Sequence, residues 1–165
     1  MDDNFFMKKA LAQAKAAFKD EEAPIGAVIV KDGEVVARAR NTREKKANAL
    51  CHAEITAIDR ACKKLGSWRL NGCELYVTLE PCAMCAGAII NARIKRVVFG
   101  AYDQKAGSFG SVVDLNALPY NHHPEVVGGV MQEECSEMLS SFFKGLRDKA
   151  KRNSENQEKQ SEQAE

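Results

Sequence analysis

Apolar residues recur along this chain with two periods, one helical and one extended, and the two periods take turns. Met7, Leu11, Ala14 and Phe18 fall at helical spacing and predict an amphipathic helix over residues 4–19. Ile25 to Val30 is an apolar run suited to a buried strand. Asp32-Gly33 then gives a hairpin turn signal before an alternating return strand over residues 34–40, so the first two strands should be antiparallel neighbours. Residues 41–51 read as a loop. A helix begins near His52, carries Ile55, Ile58, Cys62 and Leu65 on one face and stops at Gly66. Glu74 to Leu79 and Lys95 to Phe99 are β-rich and flank a helical stretch from Cys82 to Asn91. Such a β-α-β unit predicts two parallel strands joined by a right-handed crossover. Gly107-Ser108-Phe109-Gly110 lies in a loop, Glu125 to Val130 is a fifth strand, and residues 132–147 form a last helix carrying Cys135, Met138, Leu139 and Phe142. After Lys149 there is no aromatic or β-branched residue, and Lys, Glu, Gln, Ser and Asn dominate. The pattern therefore predicts one domain over 1–148 and a frayed or disordered polar tail over 149–165.

Composition narrows the class without naming a function. A length of 165 residues with 45% hydrophobic residues is enough for one well-cored domain. The net charge is +1, so any nucleic-acid contact must come from local basic patches. The N-terminus, Met1-Asp2-Asp3-Asn4, is acidic and lacks the apolar core of a signal peptide. No run reaches the roughly 18 apolar residues of a membrane span. With six cysteines, these features point to reduced thiols in the cytoplasm. Cys51, Cys62, Cys73 and Cys135 read as small buried hydrophobes.

The remaining two cysteines carry chemistry. His52-Ala53-Glu54 and Pro81-Cys82-Ala83-Met84-Cys85, whose first cysteine lies 30 residues after the histidine, make up H-x-E…P-C-x-x-C. One imidazole and two thiolates fill three positions of a tetrahedral zinc and leave the fourth for water, the arrangement of a catalytic site. Pro81 suits the first position of a helix, where its missing N–H costs nothing. Cys82 and Cys85 then share a face of that helix, and its N-terminus favours thiolate. Zinc lowers the pKa of bound water from 15.7 to about 7. The signature resembles that of the zinc deaminases, whose hydrolytic reaction also needs a group that protonates the ring nitrogen and then the leaving amine, and Glu54 is the candidate shuttle. A structural zinc would want a fourth Cys or His at ligand spacing, and a redox C-x-x-C would not need His-x-Glu upstream. Glu80, just before a proline, is expected to bond nearby backbone rather than to catalyse. His122 and His123 are treated as loop residues that can contact substrate, not as ligands.

The signature is that of zinc deaminases that act on nucleobases, and it resembles the cytidine deaminase superfamily. Its wider context is Pro24-Ile25-Gly26-Ala27-Val28, Leu75-Tyr76-Val77-Thr78-Leu79-Glu80-Pro81 running into Cys82-Ala83-Met84-Cys85-Ala86-Gly87-Ala88, Arg96-Val97-Val98-Phe99-Gly100 and Ser141-Phe142-Phe143. These stretches resemble the bacterial tRNA-specific adenosine deaminases of the TadA type, over residues 5–147 or so. The resemblance implies a three-layer α/β/α sandwich with a mixed five-stranded sheet, a homodimer and one zinc per subunit. It also implies hydrolysis of adenosine to inosine at wobble position 34 of a tRNA anticodon, chiefly of an arginine tRNA. Matched residue by residue, His52, Cys82 and Cys85 are the zinc ligands and Glu54 the proton shuttle. Asn41 matches the asparagine that hydrogen-bonds the target base, Asp103 an aspartate near the flipped nucleotide's backbone, and Asn121-His122 a pair in the substrate-facing loop. Asn48-Ala49-Leu50-Cys51, ahead of His52, departs from the family's run there and blurs one wall of the substrate site.

Two basic clusters support RNA independently of the resemblance. Arg38, Arg40, Arg43, Lys45 and Lys46 stand against Glu44, and Lys144, Arg147, Lys149, Lys151 and Arg152 against Asp148. Such clusters track phosphates and make binding salt-dependent, and a single-stranded anticodon loop makes extrusion of the base cheap. A free nucleobase or nucleoside deaminase of the guanine or cytosine type is the rival within the same chemistry. A non-catalytic zinc module that binds RNA is the rival outside it, though zinc binding alone would not need Glu54.

Overall fold

Strand pairing follows the apolar runs. A computed structural model describes residues 2–163 and builds a sheet from β1 (Gly26–Lys31), β2 (Glu34–Arg40), β3 (Cys73–Leu79), β4 (Arg96–Ala101) and β5 (Glu125–Val127), in the order β2-β1-β3-β4-β5. β1 runs antiparallel to β2 and β3, whereas β4 runs parallel to β3 and β5. The hairpin between β1 and β2 turns at Asp32 and Gly33, with φ of 51° and 79°, the left-handed pair that a tight two-residue turn requires.

Alternation along the strands sorts the core into two layers. Ala27, Ile29, Leu75, Val77, Val97 and Phe99 pack against Ala53, Ala57 and Ala61 of α3 (Ala53–Leu65) and Ala86 and Ile89 of α4 (Ala83–Asn91). Val28, Val30, Tyr76, Val98 and Ala101 face the other way, onto Phe6, Met7, Ala10 and Leu11 of α1 (Asp3–Lys19) and Cys135 of α5 (Gln132–Glu162). The result is the expected α/β/α sandwich on a mixed five-stranded sheet. α1 lies directly on the start of β1, because a Cβ at Gly26 would meet the Ala10 carbonyl oxygen and the Ala14 nitrogen. No helix among the described residues is long and apolar enough to cross a membrane.

Several elements differ from the sequence expectation, each for a physical reason. The loop after β2 contains a short helix, α2 (Arg43–Lys46). α4 starts at Ala83 with Cys82 as its N-cap, so Pro81 lies outside the helix rather than at its first position. The buried stripe of α3 is made of alanines, with Ile58, Cys62 and Leu65 only partly buried beside it, because the helix lies close to the sheet. β5 stops at Val127, where Gly128 passes so near the Phe99 ring that a Cβ would collide with it. Cys73 and Cys135 are buried as expected, but Cys51 and Cys62 are only half-buried. α5 continues to Glu162, so residues 149–162 are helical and exposed where a frayed or disordered tail was expected. A helix already begun by packed residues adds turns without a new nucleation cost, and Lys, Glu, Gln, Ala and Arg are good formers.

The start of α1 is tied to the sheet by charge. The Asp3 carboxylate accepts from Arg96 Nη1 and Nη2 at 2.7 and 2.9 Å, and Arg96 also pairs with Glu74 and Glu125. The hydrogen bond from Arg96 is the main reason that the Asp3 carboxyl titrates below its ordinary value of 3.8. A depressed carboxylate stabilises the fold above its unfolded pKa and loses that contribution as pH falls through the folded one. Asp3→Asn is therefore expected to lower stability at pH 7 by about 1 kcal/mol, since the pair is partly solvated. In urea unfolding at decreasing pH, the gap from the parent should close below 3.8. A gap that persists unchanged in acid would remove the charge from this explanation.

Candidate functional site

Two helix starts meet beyond the C-terminal end of β3. His52 and Cys82 are the N-caps of α3 and α4, both extended in backbone (ψ 151° and 175°), and neither side chain caps its own helix. The imidazole and the thiol are thus free to turn toward each other. Cys85, one turn into α4 and fully buried, joins them. Its Sγ lies 3.5 Å from His52 Nδ1, and Cys82 Sγ lies 3.7 Å from the same nitrogen. A tetrahedral zinc with the usual Zn–S and Zn–N lengths has S···N edges of about 3.6 Å, so the donor set fits that ion. All three ligating atoms lie within 4.8 Å of one another, forming the group of His, Cys, Asp or Glu that could hold a metal among the described residues.

The three groups shift one another's proton affinities. Cys82 is lowered to about 4, first by the hydrogen bond it accepts from Cys85 and then by His52, against the cost of burial. Cys85 moves far up in return, because it donates to Cys82 and is buried. His52 is raised, chiefly by its bond to Cys82. Glu54, in the first turn of α3, is buried to 4% exposure, and burial raises it to about 7.

These groups open on a cavity of about 210 Å³ whose walls include His52, Glu54, Cys82, Asn41, Arg43, Asp103 and Phe143. Cys85 sits behind the cavity wall. The buried Asn41 side chain accepts from the Arg43 backbone N–H at 3.1 Å and reaches the Ala23 carbonyl at 3.4 Å. Asp103 accepts from the backbone N–H groups of Lys105 and Ala106, fixing the turn that forms one rim. The expectation for Glu80 matches its contacts. Its buried carboxylate accepts from the backbone N–H groups of Asp103, Phe109 and Ser111, and a Cβ on Gly107 would run into it. A larger groove of about 800 Å³ continues from the cavity along α5, past Tyr102, Lys105, Leu146 and Arg147.

His122 is not brought to this cavity. It lies at the opposite end of the sheet, where its ring Nε2 bonds the Ile94 carbonyl at 2.7 Å, just ahead of β4. His123 bonds the Asn116 carbonyl instead. Among the basic residues named from sequence, Arg43 and Arg147 reach the cavity and the groove, while Arg40 is paired with Asp20. Sequence reasoning missed Phe143 as a cavity wall, since one apolar residue on an amphipathic helix carries no mark of its role.

Comparison with known proteins agrees with this geometry. The MafB19-like deaminase family matches residues 1–147. The tRNA-specific adenosine deaminase of Bacillus subtilis (strain 168) is 53% identical over 150 residues, covering 90% of this chain and 93% of that protein. Among solved structures, a tRNA:A34 deaminase described for A-to-I editing at the wobble position of transfer RNA superposes with a TM-score of 0.79 at 47% identity, covering 82% of this chain and 99% of the other. The guanine deaminase of Bacillus subtilis superposes with a TM-score of 0.60 at 32% identity, over 73% and 88% of the two chains.

Proposed function

The chain belongs to the family of tRNA-specific adenosine deaminases, and from that membership we propose that it hydrolyses adenosine to inosine at wobble position 34 of a tRNA anticodon, chiefly of an arginine tRNA. The observation that carries the reading is the placement of His52, Cys82, Glu54 and Asn41 around one small cavity, with Cys85 behind. We assign His52, Cys82 and Cys85 as ligands of one zinc per subunit. Bound there, zinc supplies a Lewis acid that lowers the pKa of a water to about 7.

The remaining steps belong to the chain's own groups. Glu54 accepts a proton as water attacks C6 of the purine and gives it to N1; it then takes the proton of the new C6 hydroxyl and delivers it to the amine, which departs as the C6 carbonyl forms. The balance is adenosine plus water to inosine plus ammonia. Burial raises the proton affinity of Glu54, which suits a group that must both take and give a proton. The Asn41 amide holds the base edge, and Asp103 stands at the rim where the flipped nucleotide's backbone would pass. Arg43, Lys45 and Lys46 on α2, with Arg147 in the groove, offer charge to the phosphates on either side.

The protein is expected to act as a homodimer, and His122, bonded to the Ile94 carbonyl away from this cavity, is assigned no substrate contact within one subunit. Residues 1–148 form the catalytic unit, and the enzyme works in the cytoplasm.

A substrate panel tests the reading. Zinc-loaded protein should convert an anticodon stem-loop bearing a wobble adenosine, and lose affinity steeply with added salt. It should leave free adenosine, cytidine, guanine and cytosine essentially untouched. Turnover confined to the free bases or nucleosides would replace this reading with the small-molecule one.

A further inference from the structure

Glu22 belongs to none of the groups above, yet it is the most deeply placed carboxylate near the cavity that does not line it. It is 1% exposed, in the connection between α1 and β1. No lysine or arginine pairs with it among the described residues. A buried carboxylate without a counter-ion costs several kcal/mol, and an apolar side chain would fill the same space more cheaply. Its two oxygens instead take one backbone N–H each from α2: Oε2 from Glu44 at 3.2 Å and Oε1 from Lys45 at 2.6 Å.

The same stretch is joined to the loop by two further bonds, from the Asn41 N–H to the Ile25 carbonyl and from Asn41 Nδ2 to the Ala23 carbonyl, and within the loop the Arg43 N–H donates to Asn41 Oδ1. Ala23, Ile25, Asn41 and Arg43 all line the cavity. We infer that Glu22 is a positioning residue for substrate: it anchors α2 from inside the fold and so fixes Asn41 and Arg43 at the wall where the target base enters. This rests on the reading of Asn41 as the base contact. Glutamine cannot replace the carboxylate, because its NH2 would face a backbone N–H where an acceptor is needed.

The experiment measures kcat and KM on the anticodon stem-loop, with zinc content and melting temperature, for Glu22→Gln, Asn41→Ala and their double variant. Lys45→Pro, with Lys45→Ala as its charge control, removes the same hydrogen bond from the exposed side without touching the core. Asn41 holds the base in ground and transition states alike, so Glu22→Gln should raise KM roughly tenfold with kcat within about threefold of the parent and zinc unchanged. Lys45→Pro should reproduce that rise beyond Lys45→Ala. In the Asn41→Ala background, Glu22→Gln should add less than about twofold, since both act through one contact.

A merely structural Glu22 would lower the active fraction, so kcat would fall with KM unchanged, and that result overturns the inference. Losses from Glu22→Gln and Asn41→Ala that simply multiply overturn it too. An unimpaired Asn41→Ala would instead sink the base contact itself. An impaired Asn41→Ala beside normal Glu22→Gln and Lys45→Pro variants would sink only the role of Glu22. Should Glu22→Gln fail to fold, Lys45→Pro decides alone.

Discussion

Replacing Glu54 with alanine is expected to leave the zinc content at one per subunit while kcat on the stem-loop falls by about 10³- to 10⁴-fold. The size follows from the role. One positioned carboxylate serves both the ring nitrogen and the leaving amine, and general acid–base catalysis of this kind contributes about 10²- to 10⁴-fold. At 1.36 kcal/mol per decade, the loss corresponds to about 4–5.5 kcal/mol of barrier. The retained metal follows from the geometry, because Glu54 is not among the three atoms that gather around the site. KM should change little, since the proton transfers occur after binding. The variant is also expected to be at least as stable as the parent, because a carboxylate at 4% exposure carries a desolvation cost that alanine does not. Metal analysis, unfolding and single-turnover kinetics on one preparation give all these readings. A variant that keeps its zinc and deaminates like the parent would remove Glu54 from the mechanism.

The second large effect is on the metal. Cys82→Ala is expected to bind zinc weakly or not at all after dialysis and to be inactive on the stem-loop. Two donors no longer compete with water and buffer for the ion. The loss should also be structural. His52 and Cys82 are the N-caps of two different helices and neither caps its own, so an ion that bridges them ties α3 to α4. A ligand present at a thousandfold over its dissociation constant stabilises the folded state by about 4 kcal/mol. For a domain of this size, that corresponds to a melting temperature lower by about 10 °C in the chelated parent. The chelated parent should recover activity and melting temperature when zinc is returned, whereas Cys82→Ala should recover neither. Unchanged melting on chelation would mean that the three residues do not hold an ion.

The donor set was legible because its spacing is local. Cys82 and Cys85 are three apart on one helix, and His52 with Glu54 are two apart on another, so chain order nearly dictates the arrangement. The apolar run Ile25 to Val30 and the β-rich stretches Glu74 to Leu79 and Lys95 to Phe99 likewise revealed the central strands, since each is buried on both faces. Features that depend on distant packing were not legible. The alanine stripe of α3 is invisible to a search for large apolar residues, although close packing on a sheet needs small ones. Pro81 was placed two positions too far into the helix because local preference does not report that Cys82 turns its backbone outward to point its thiol at His52. Glu22, in the run Asp20-Glu21-Glu22, reads as one more surface acid, and only the return of α2 over it makes it internal. His122 reads as a substrate residue by resemblance, but within one chain β5 carries it to the far end of the sheet.

The assignment of substrate is tested most directly on intact tRNA. A total bacterial tRNA pool lacking inosine is incubated with the zinc-loaded protein, reverse-transcribed and sequenced, so that each inosine is read as guanosine. Expected is conversion at adenosine 34 of arginine tRNA and nowhere else in that molecule, absent with the Glu54→Ala protein. Adenosine 34 left unconverted by active, zinc-loaded protein, or conversion scattered over other adenosines, would contradict it.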